Sequence, residues 1–176
     1  MTVVRVERPG DAAGIRETNE AAFGSPLEGS LVDTLRATAQ AEACALQETY
    51  LSLVATIDDQ IAGHILFTPV TLDPPVAVRI AGLGPMAVRP DHQRSGVGGQ
   101  LIRAGLDACR AHGYAAVVVL GHPDYYPRFG FVPAHTFGLT CEFPCPPEAF
   151  MAIELESGSL RQSGGLVRYR PEFAEV

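Results

Sequence analysis

The sequence contains no lysine and no tryptophan, and all 13 of its basic residues are arginine. Without lysine it cannot form a Walker A phosphate loop or a lysine Schiff base. Twenty acidic residues outnumber the basic ones and give a formal net charge of −7. Because phosphate contacts supply most of the affinity for nucleic acids, we predict that nucleic acid is not a partner.

Long apolar runs are also absent, and cysteine is scarce. The longest apolar run lies around 115–120, too short to span a bilayer, and the charged N-terminus lacks the apolar core of a signal peptide. We therefore expect no membrane partner and a cytoplasmic protein. The four cysteines have no zinc-ligand spacing, so we expect reduced, buried thiols and no metal; they are Cys44, Cys109, Cys141 and Cys145.

The length of 176 residues suits one domain, spanning 1–176. Apolar periodicity predicts helices at 12–23, 27–38 and 98–112. Strands are predicted at 3–8, 51–57, 61–69, 76–88, 114–120, from 131 and at 149–155, with a short helix at 124–129 and a tail hairpin ending near 168–169. The elements therefore indicate an α/β domain with a mixed sheet and helices on both faces.

A glycine-rich loop joins a strand to a helix between Gln93 and Gly99. Its glycines allow the backbone to approach a ligand closely, and the free N–H groups and positive end of the following helix favour a pyrophosphate. Arg94 is placed to add a salt bridge, with help from Arg89 or Arg103. The loop lacks the GxGxxG pattern of dinucleotide-binding proteins.

The strand before this loop contains Pro85, which cannot donate to a β-ladder and so predicts an edge or a bulge. A bulge there would separate this strand from its parallel neighbour at 114–120. Backbone groups of Met86, Ala87 and Val88 would then be free to pair with an extended, amide-bearing ligand. Pantetheine, which is attached to a pyrophosphate, is such a ligand.

The segment LGPMAVRPDHQRSGVGG at 83–99 resembles motif A of the GNAT acetyltransferase superfamily, whose acetyl-CoA signature is [QR]-x-x-G-x-[GA]. Gln93, Gly96 and Gly98 occupy its fixed positions. The segment YYPRFGF at 125–131 resembles the motif B stretch Y-x-[KR]-x-G-F, and the tail resembles a branch of small bacterial members. The resemblance implies a three-layer α-β-α sandwich around a mixed, mostly antiparallel sheet of about seven strands, with a splayed parallel pair.

The resemblance also implies an acyltransferase that moves an acetyl group from acetyl-CoA directly to a primary amine in a ternary complex. A backbone N–H of Met86 or Ala87 would stabilise the oxyanion, and Tyr126, which matches the tyrosine of motif B, would protonate the leaving thiolate. The residues expected to bind the cosubstrate are Met86, Ala87, Val88, Gln93, Arg94, Ser95, Gly96, Val97, Gly98 and Gly99. The alternative for Tyr126 is simple packing.

Two positions depart from the superfamily pattern. Gly121 and His122 stand where many members have asparagine, and no glutamate lies at 79–83 to act as a base. Glu28, His64 or a water chain are the candidates for the base, and Glu28 is the candidate for holding a cationic acceptor.

Two alternatives to the enzyme remain, a non-catalytic acyl-CoA-binding module and an unrelated nucleotide-binding protein. The acceptor, a small molecule or a protein, is not identified, and the resemblance allows a homodimer.

Overall fold

The computed structural model describes residues 1–41, 50–161 and 163–175, so Cys44 lies outside the described residues. Its three α-helices are α1 (Ala12–Phe23), α2 (Leu27–Ala41) and α3 (Val97–Ala111). The nine strands in the described ranges are β1 (Val3–Val6), β2 (Leu51–Ile57), β3 (Gln60–Asp73), β4 (Ile80–Val88), β5 (Ala116–Leu120), β6 (Val132–Pro133), β7 (Leu139–Cys141), β8 (Phe150–Glu154) and β9 (Gly165–Arg168). None of the described helices combines the length and apolarity needed to cross a membrane.

The chain forms two compact units, and β3, β4 and α3 each contribute residues to both. The first unit comprises 1–67, 85–105 and 171–176, and the second comprises 68–84 and 106–170. Each unit is described by itself below.

In the first unit, β2 pairs antiparallel with both β1 and β3. The helices α1 and α2 cover one face of these strands, where Ile15, Val32 and Leu35 pack against Val54 and Leu66. Burying each of these side chains contributes roughly 1.5–3 kcal/mol. Because alternate residues of a strand point to opposite faces, this packing leaves the other face of β3 for a further helix.

This further helix is α3, which approaches β3 closely at two glycines, Gly63 in β3 and Gly105 in α3. A Cβ atom on Gly63 would lie 2.9 Å from Leu101 Cδ1, and one on Gly105 would lie 2.4 Å from Phe67 Cε2. Both distances are shorter than real Cβ contacts, so the two glycines set how closely the helix and strand pack. Helices therefore lie on both faces of the strands, which confirms the layered arrangement within this unit.

In the second unit, β5 lies between β4, with which it is parallel, and β8, with which it is antiparallel. Ala116, Val117, Val118 and Val119 are all buried, as predicted for a strand covered on both faces. β6 also pairs antiparallel with β8. The sheet pairings are mostly antiparallel with a parallel β4–β5 pair, so the predicted fold class is confirmed.

Three predicted elements need correction. β4 begins at Ile80 rather than 76, because the proline-containing 74–79 segment is irregular, and β3 extends to Asp73 rather than 69. The tail is not a hairpin: β9 pairs antiparallel with β3 and parallel with β7. β7 has only three residues, too few to give an alternating pattern, and it was not predicted. Together with β9, which lies in the predicted tail, it brings the strands of the described ranges from seven to nine.

Candidate active site

The β4 strand changes its pairing partway along its length. Its first four residues pair with β5 in parallel register, and this pairing ends at Leu83–Val119, although β4 continues to Val88. Pro85 follows within two residues and has no N–H to donate. The parallel ladder ends just before Pro85, where the sequence predicted an interruption.

The end of β4 directs its backbone groups alternately to two sides. Arg89 N donates to Ala62 O in β3 at 2.9 Å, which shows that the polar groups of Arg89 face β3. Successive residues of an extended strand direct their backbone N–H and C=O groups to opposite sides, so Ala87 faces β3 as well, whereas Met86 and Val88 face the opposite side. On that side the Gln93 side chain donates to Val88 O at 3.0 Å. The backbone N–H and C=O of Met86 and the N–H of Val88 are thus the groups best oriented to pair with an extended ligand.

The loop after β4 has an unusual backbone. Arg94, which is not glycine, has a φ of 60°, and Gly96 has a φ of 92°. Left-handed conformations within a turn are what bring successive N–H groups to one side of the chain. The Ser95 hydroxyl donates to His92 O at 2.6 Å and thereby holds the turn closed.

The N–H groups of residues 94–99 form no hydrogen bond with any acceptor in the described ranges. The first bond of α3 runs from Gln100 N to Gly96 O at 3.1 Å, so the preceding N–H groups at the helix N-terminus stay free. Six consecutive donors at the positive end of a helix form a site for an anion. We call residues 93–99, with these donors, the phosphate loop.

Three arginines lie on or near the phosphate loop, and one of them has no partner among the residues that the structure describes. Arg89 pairs with Asp91 at 3.4 Å, and Arg103 donates to Gly99 O at 3.3 Å. Arg94 is exposed and makes no hydrogen bond or ion pair within the described part of the chain. Its guanidinium therefore has all its donors available for a ligand phosphate.

Tyr126 follows β5 in a short 3-10 segment, Tyr126–Phe129, within the second unit. The residue is 7% exposed. Its ring packs edge-to-face against the rings of Phe131 and Tyr125, with centroids 5.5 and 5.3 Å away. Burial raises the pKa of its hydroxyl well above the ordinary value, and so does the neighbouring Tyr125. The hydroxyl has no hydrogen-bond partner among the residues described, so a protonated donor is left unused.

His64 is a poor candidate for the base because both its ring nitrogens are engaged. The side chain is fully buried, and Asn19 Nδ2 lies 3.2 Å from His64 Nδ1. The same Nδ2 donates to Ile15 O at 2.9 Å, which identifies it as the amide nitrogen, so His64 Nδ1 accepts. His64 Nε2 then carries the proton and donates to Ser52 Oγ at 2.9 Å. Burial, aided by Arg36, lowers the pKa of His64 to about 3.

Glu28 lies in the first turn of α2. Its Oε2 atom is buried without a hydrogen-bond partner, and no arginine pairs with the carboxylate in the described ranges. By contrast, Glu20 on α1 and Asp33 on α2 both pair with Arg16. Glu28 is therefore a carboxylate available to a cation.

The cysteines and the possible metal ligands among the described residues add no catalytic group to the candidate site. The described cysteines form no disulfide. Cys109 is buried as expected, and burial raises the pKa of its thiol to about 12, whereas Cys141 and Cys145 are only partly buried, so the expectation of burial is wrong for these two. Across the described ranges, no three His, Cys, Asp or Glu side chains are grouped so that they could hold a metal ion.

Comparison with known proteins gives consistent results. The acetyltransferase (GNAT) family model matches residues 14–131. The N-acetyltransferase YhbS of Escherichia coli K12 is 37% identical over 174 residues, covering 97% of this chain and 98% of YhbS. This agrees with the bacterial branch that the tail indicated.

Two solved structures are similar over nearly the whole chain. The E. coli YhbS structure in complex with CoA has a TM-score of 0.88, with 37% identity, and covers 98% of this chain and 92% of that one. A GNAT family acetyltransferase from Brucella melitensis in complex with acetyl-CoA has a TM-score of 0.77, with 38% identity and 98% coverage of both chains.

Proposed function

This chain belongs to the acetyltransferase (GNAT) family and is an acyltransferase, and from that premise we propose that it transfers an acetyl group from acetyl-CoA to a primary amine. The observation that carries the proposal is the run of free N–H groups at residues 94–99. Two relatives above 35% identity were solved with CoA or acetyl-CoA, which supports the same cosubstrate here.

In the proposed complex, the phosphate loop binds the pyrophosphate of acetyl-CoA. The N–H groups of Arg94, Ser95, Gly96, Val97, Gly98 and Gly99 donate to phosphate oxygens, and the Arg94 guanidinium adds a charged contact. Gln93 holds the loop to the end of β4 through Val88 O. The pantetheine amides pair with the Met86 carbonyl and the Val88 N–H, on the side of β4 that faces away from β3, which leaves the Met86 N–H for the thioester.

The chemistry is addition of a neutral amine to the thioester carbonyl, followed by loss of the CoA thiolate. The Met86 N–H, by its orientation, is the better of the two predicted donors to the oxyanion; Ala87 faces β3. Removing such a donor typically costs about 3 kcal/mol in barrier height. Tyr126 protonates the thiolate: its phenol carries a proton at neutral pH, as an ordinary tyrosine does, and burial does not change that because it raises the pKa further.

The acceptor is an amine whose ammonium form carries a positive charge, and Glu28 is the carboxylate proposed to attract it. His64 does not contact the acceptor, because it is fully buried and hydrogen-bonded on both sides. The proton of the attacking amine therefore leaves through water or through Glu28.

The experiment is calorimetric titration with CoA, ATP and NAD, followed by thiol release from acetyl-CoA with a panel of amines. We expect CoA to bind and ATP and NAD not to bind. Gly96→Val is the test variant. No heavy atom lies within 4 Å of a Cβ placed there, so the Cβ meets no clash, but valine does not suit the φ of 92° and should disturb the conformation of the loop. Wild-type CoA affinity in a folded Gly96→Val protein would contradict the proposed phosphate loop.

A further inference from the structure

Gly121 lies at the end of β5, directly beneath the ring of Tyr126. Its N–H donates to Ala149 O at 2.9 Å, which fixes its backbone. A Cβ atom on Gly121 would lie 2.4 Å from Tyr126 Cε2, 3.1 Å from Cδ2 and 3.3 Å from Cζ. The ring therefore occupies the space that any other residue at 121 would need for its side chain.

The backbone itself does not require glycine at this position. Gly121 is absent from the glycines with positive φ, in contrast to Gly130, which ends the following 3-10 segment with a φ of 95°. Alanine at 121 is therefore compatible with the chain's conformation, and the three atoms nearest to its Cβ all belong to the ring of Tyr126. The need for glycine comes from the tyrosine and not from a turn.

Three contacts fix the Tyr126 ring, and Gly121 is one of them. Phe131 and Tyr125 hold two sides of the ring edge-to-face, at 5.5 and 5.3 Å between centroids. Since interiors are close-packed, a new Cβ at Gly121 must push the ring until ordinary contact is restored, by about 1 Å. A displacement of that size moves the unpartnered hydroxyl away from its position.

We propose that Gly121 is a positioning residue, which sets the location of the Tyr126 hydroxyl by leaving the ring room to lie against the end of β5. This inference rests on the proposed function, in which that hydroxyl protonates the CoA thiolate. A misplacement of about 1 Å at a reacting group typically lowers the rate about 100-fold.

The test compares Gly121→Ala with Gly10→Ala, a control in which no atom lies within 4 Å of the new Cβ. We expect Gly121→Ala to lower kcat about 10- to 100-fold with unchanged CoA affinity, and the control to stay within twofold of wild type. Tyr126→Phe should lower kcat about 100-fold. In the double variant Gly121→Ala/Tyr126→Phe, kcat should equal that of Tyr126→Phe alone, because the hydroxyl is already gone.

Full turnover in Gly121→Ala, or multiplied losses in the double variant, would overturn the inference while leaving the acetyltransferase itself intact. Failure of the proposed function looks different, since the wild-type protein would then neither bind CoA nor release its thiol.

If Gly121→Ala is too unstable for kinetics, the contact is tested by thermal unfolding of variants with and without the Tyr126 ring. Tyr126→Leu removes the Cε2 atom, so adding Gly121→Ala to that variant should not lower Tm further. An equal loss of Tm with and without the ring would refute the contact.

Discussion

The buried His64 should make the stability of the protein depend on pH in a range where carboxylates contribute little. In the folded protein its pKa is lowered to about 3 by burial and then by Arg36, whereas an unfolded histidine titrates near 6.5. Between these two values the unfolded chain binds one more proton than the folded one. Stability therefore falls as the pH falls from 6.5 toward 3.

The magnitude follows from the two pKa values. The complete difference corresponds to about 5 kcal/mol, and lowering the pH from 7 to 5 alone removes about 2 kcal/mol. The pKa values of Asp11 and Glu154 are also lowered, by hydrogen bonds from Arg5 and from backbone N–H groups respectively. Those carboxylates lose their stabilising effect at lower pH, so the range from 7 to 5 isolates the histidine.

The assay is urea unfolding at pH 7, 6 and 5 of wild type, His64→Gln and the control His135→Gln, which changes an exposed histidine. Glutamine can accept from Asn19 and donate to Ser52 but carries no titrating group. We expect wild type and His135→Gln to lose about 2 kcal/mol between pH 7 and 5, and His64→Gln to lose almost none. Equal pH dependence in all three proteins would refute the buried, neutral histidine.

Three further changes test the packing and the proposed site. Gly105→Ala brings a Cβ within 2.4 Å of the buried Phe67 ring and should destabilise the protein by about 1–3 kcal/mol in thermal unfolding. Gly14→Ala in α1, whose Cβ would lie nearest to the end of the Ile61 side chain at 3.0 Å, should be neutral or stabilising, and equal effects of the two changes would refute the close approach. Arg94→Gln should weaken CoA binding about five- to tenfold by calorimetry and reduce its dependence on salt, and unchanged salt dependence would exclude the phosphate contact. Glu28→Gln should raise the KM of a cationic amine several-fold in the thiol-release assay while CoA affinity is unchanged, and an unaltered KM would remove Glu28 from the acceptor site.

Elements with strong periodicity were predictable from sequence. The bounds of α1 and β2 agree with the prediction, and α3 begins one residue earlier, because apolar spacing and glycine or proline boundaries mark these segments. The α2 helix runs to Ala41, beyond the predicted 38, since an alanine-rich sequence continues without a helix-breaking residue. β7 and the pairing of β9 depend on contacts distant in sequence, which no local pattern encodes.

The candidate site was predictable where the sequence carries a motif. The signature at 93–98 located the phosphate loop, but the left-handed conformation of Arg94 has no signal in residue type, since arginine rarely adopts it. The contact between Gly121 and Tyr126 was also not predictable from the sequence. In the sequence Gly121 was notable as a departure from the superfamily pattern, and its reason appears only when the ring of Tyr126 is placed against it.

The absence of lysine bears on how an acetyl group can be followed in this protein. Arginine is the basic residue at all 13 basic positions, and a guanidinium stays protonated at neutral pH and is not a nucleophile toward a thioester. None of the enzyme's own side chains therefore offers a primary amine to acetyl-CoA. When a protein acceptor is assayed by intact mass, a gain of acetyl mass on the acceptor's lysines reports transfer to that acceptor. N-acetylation of the enzyme's own side chains does not compete with it, because the acceptor amine must be supplied from outside those side chains.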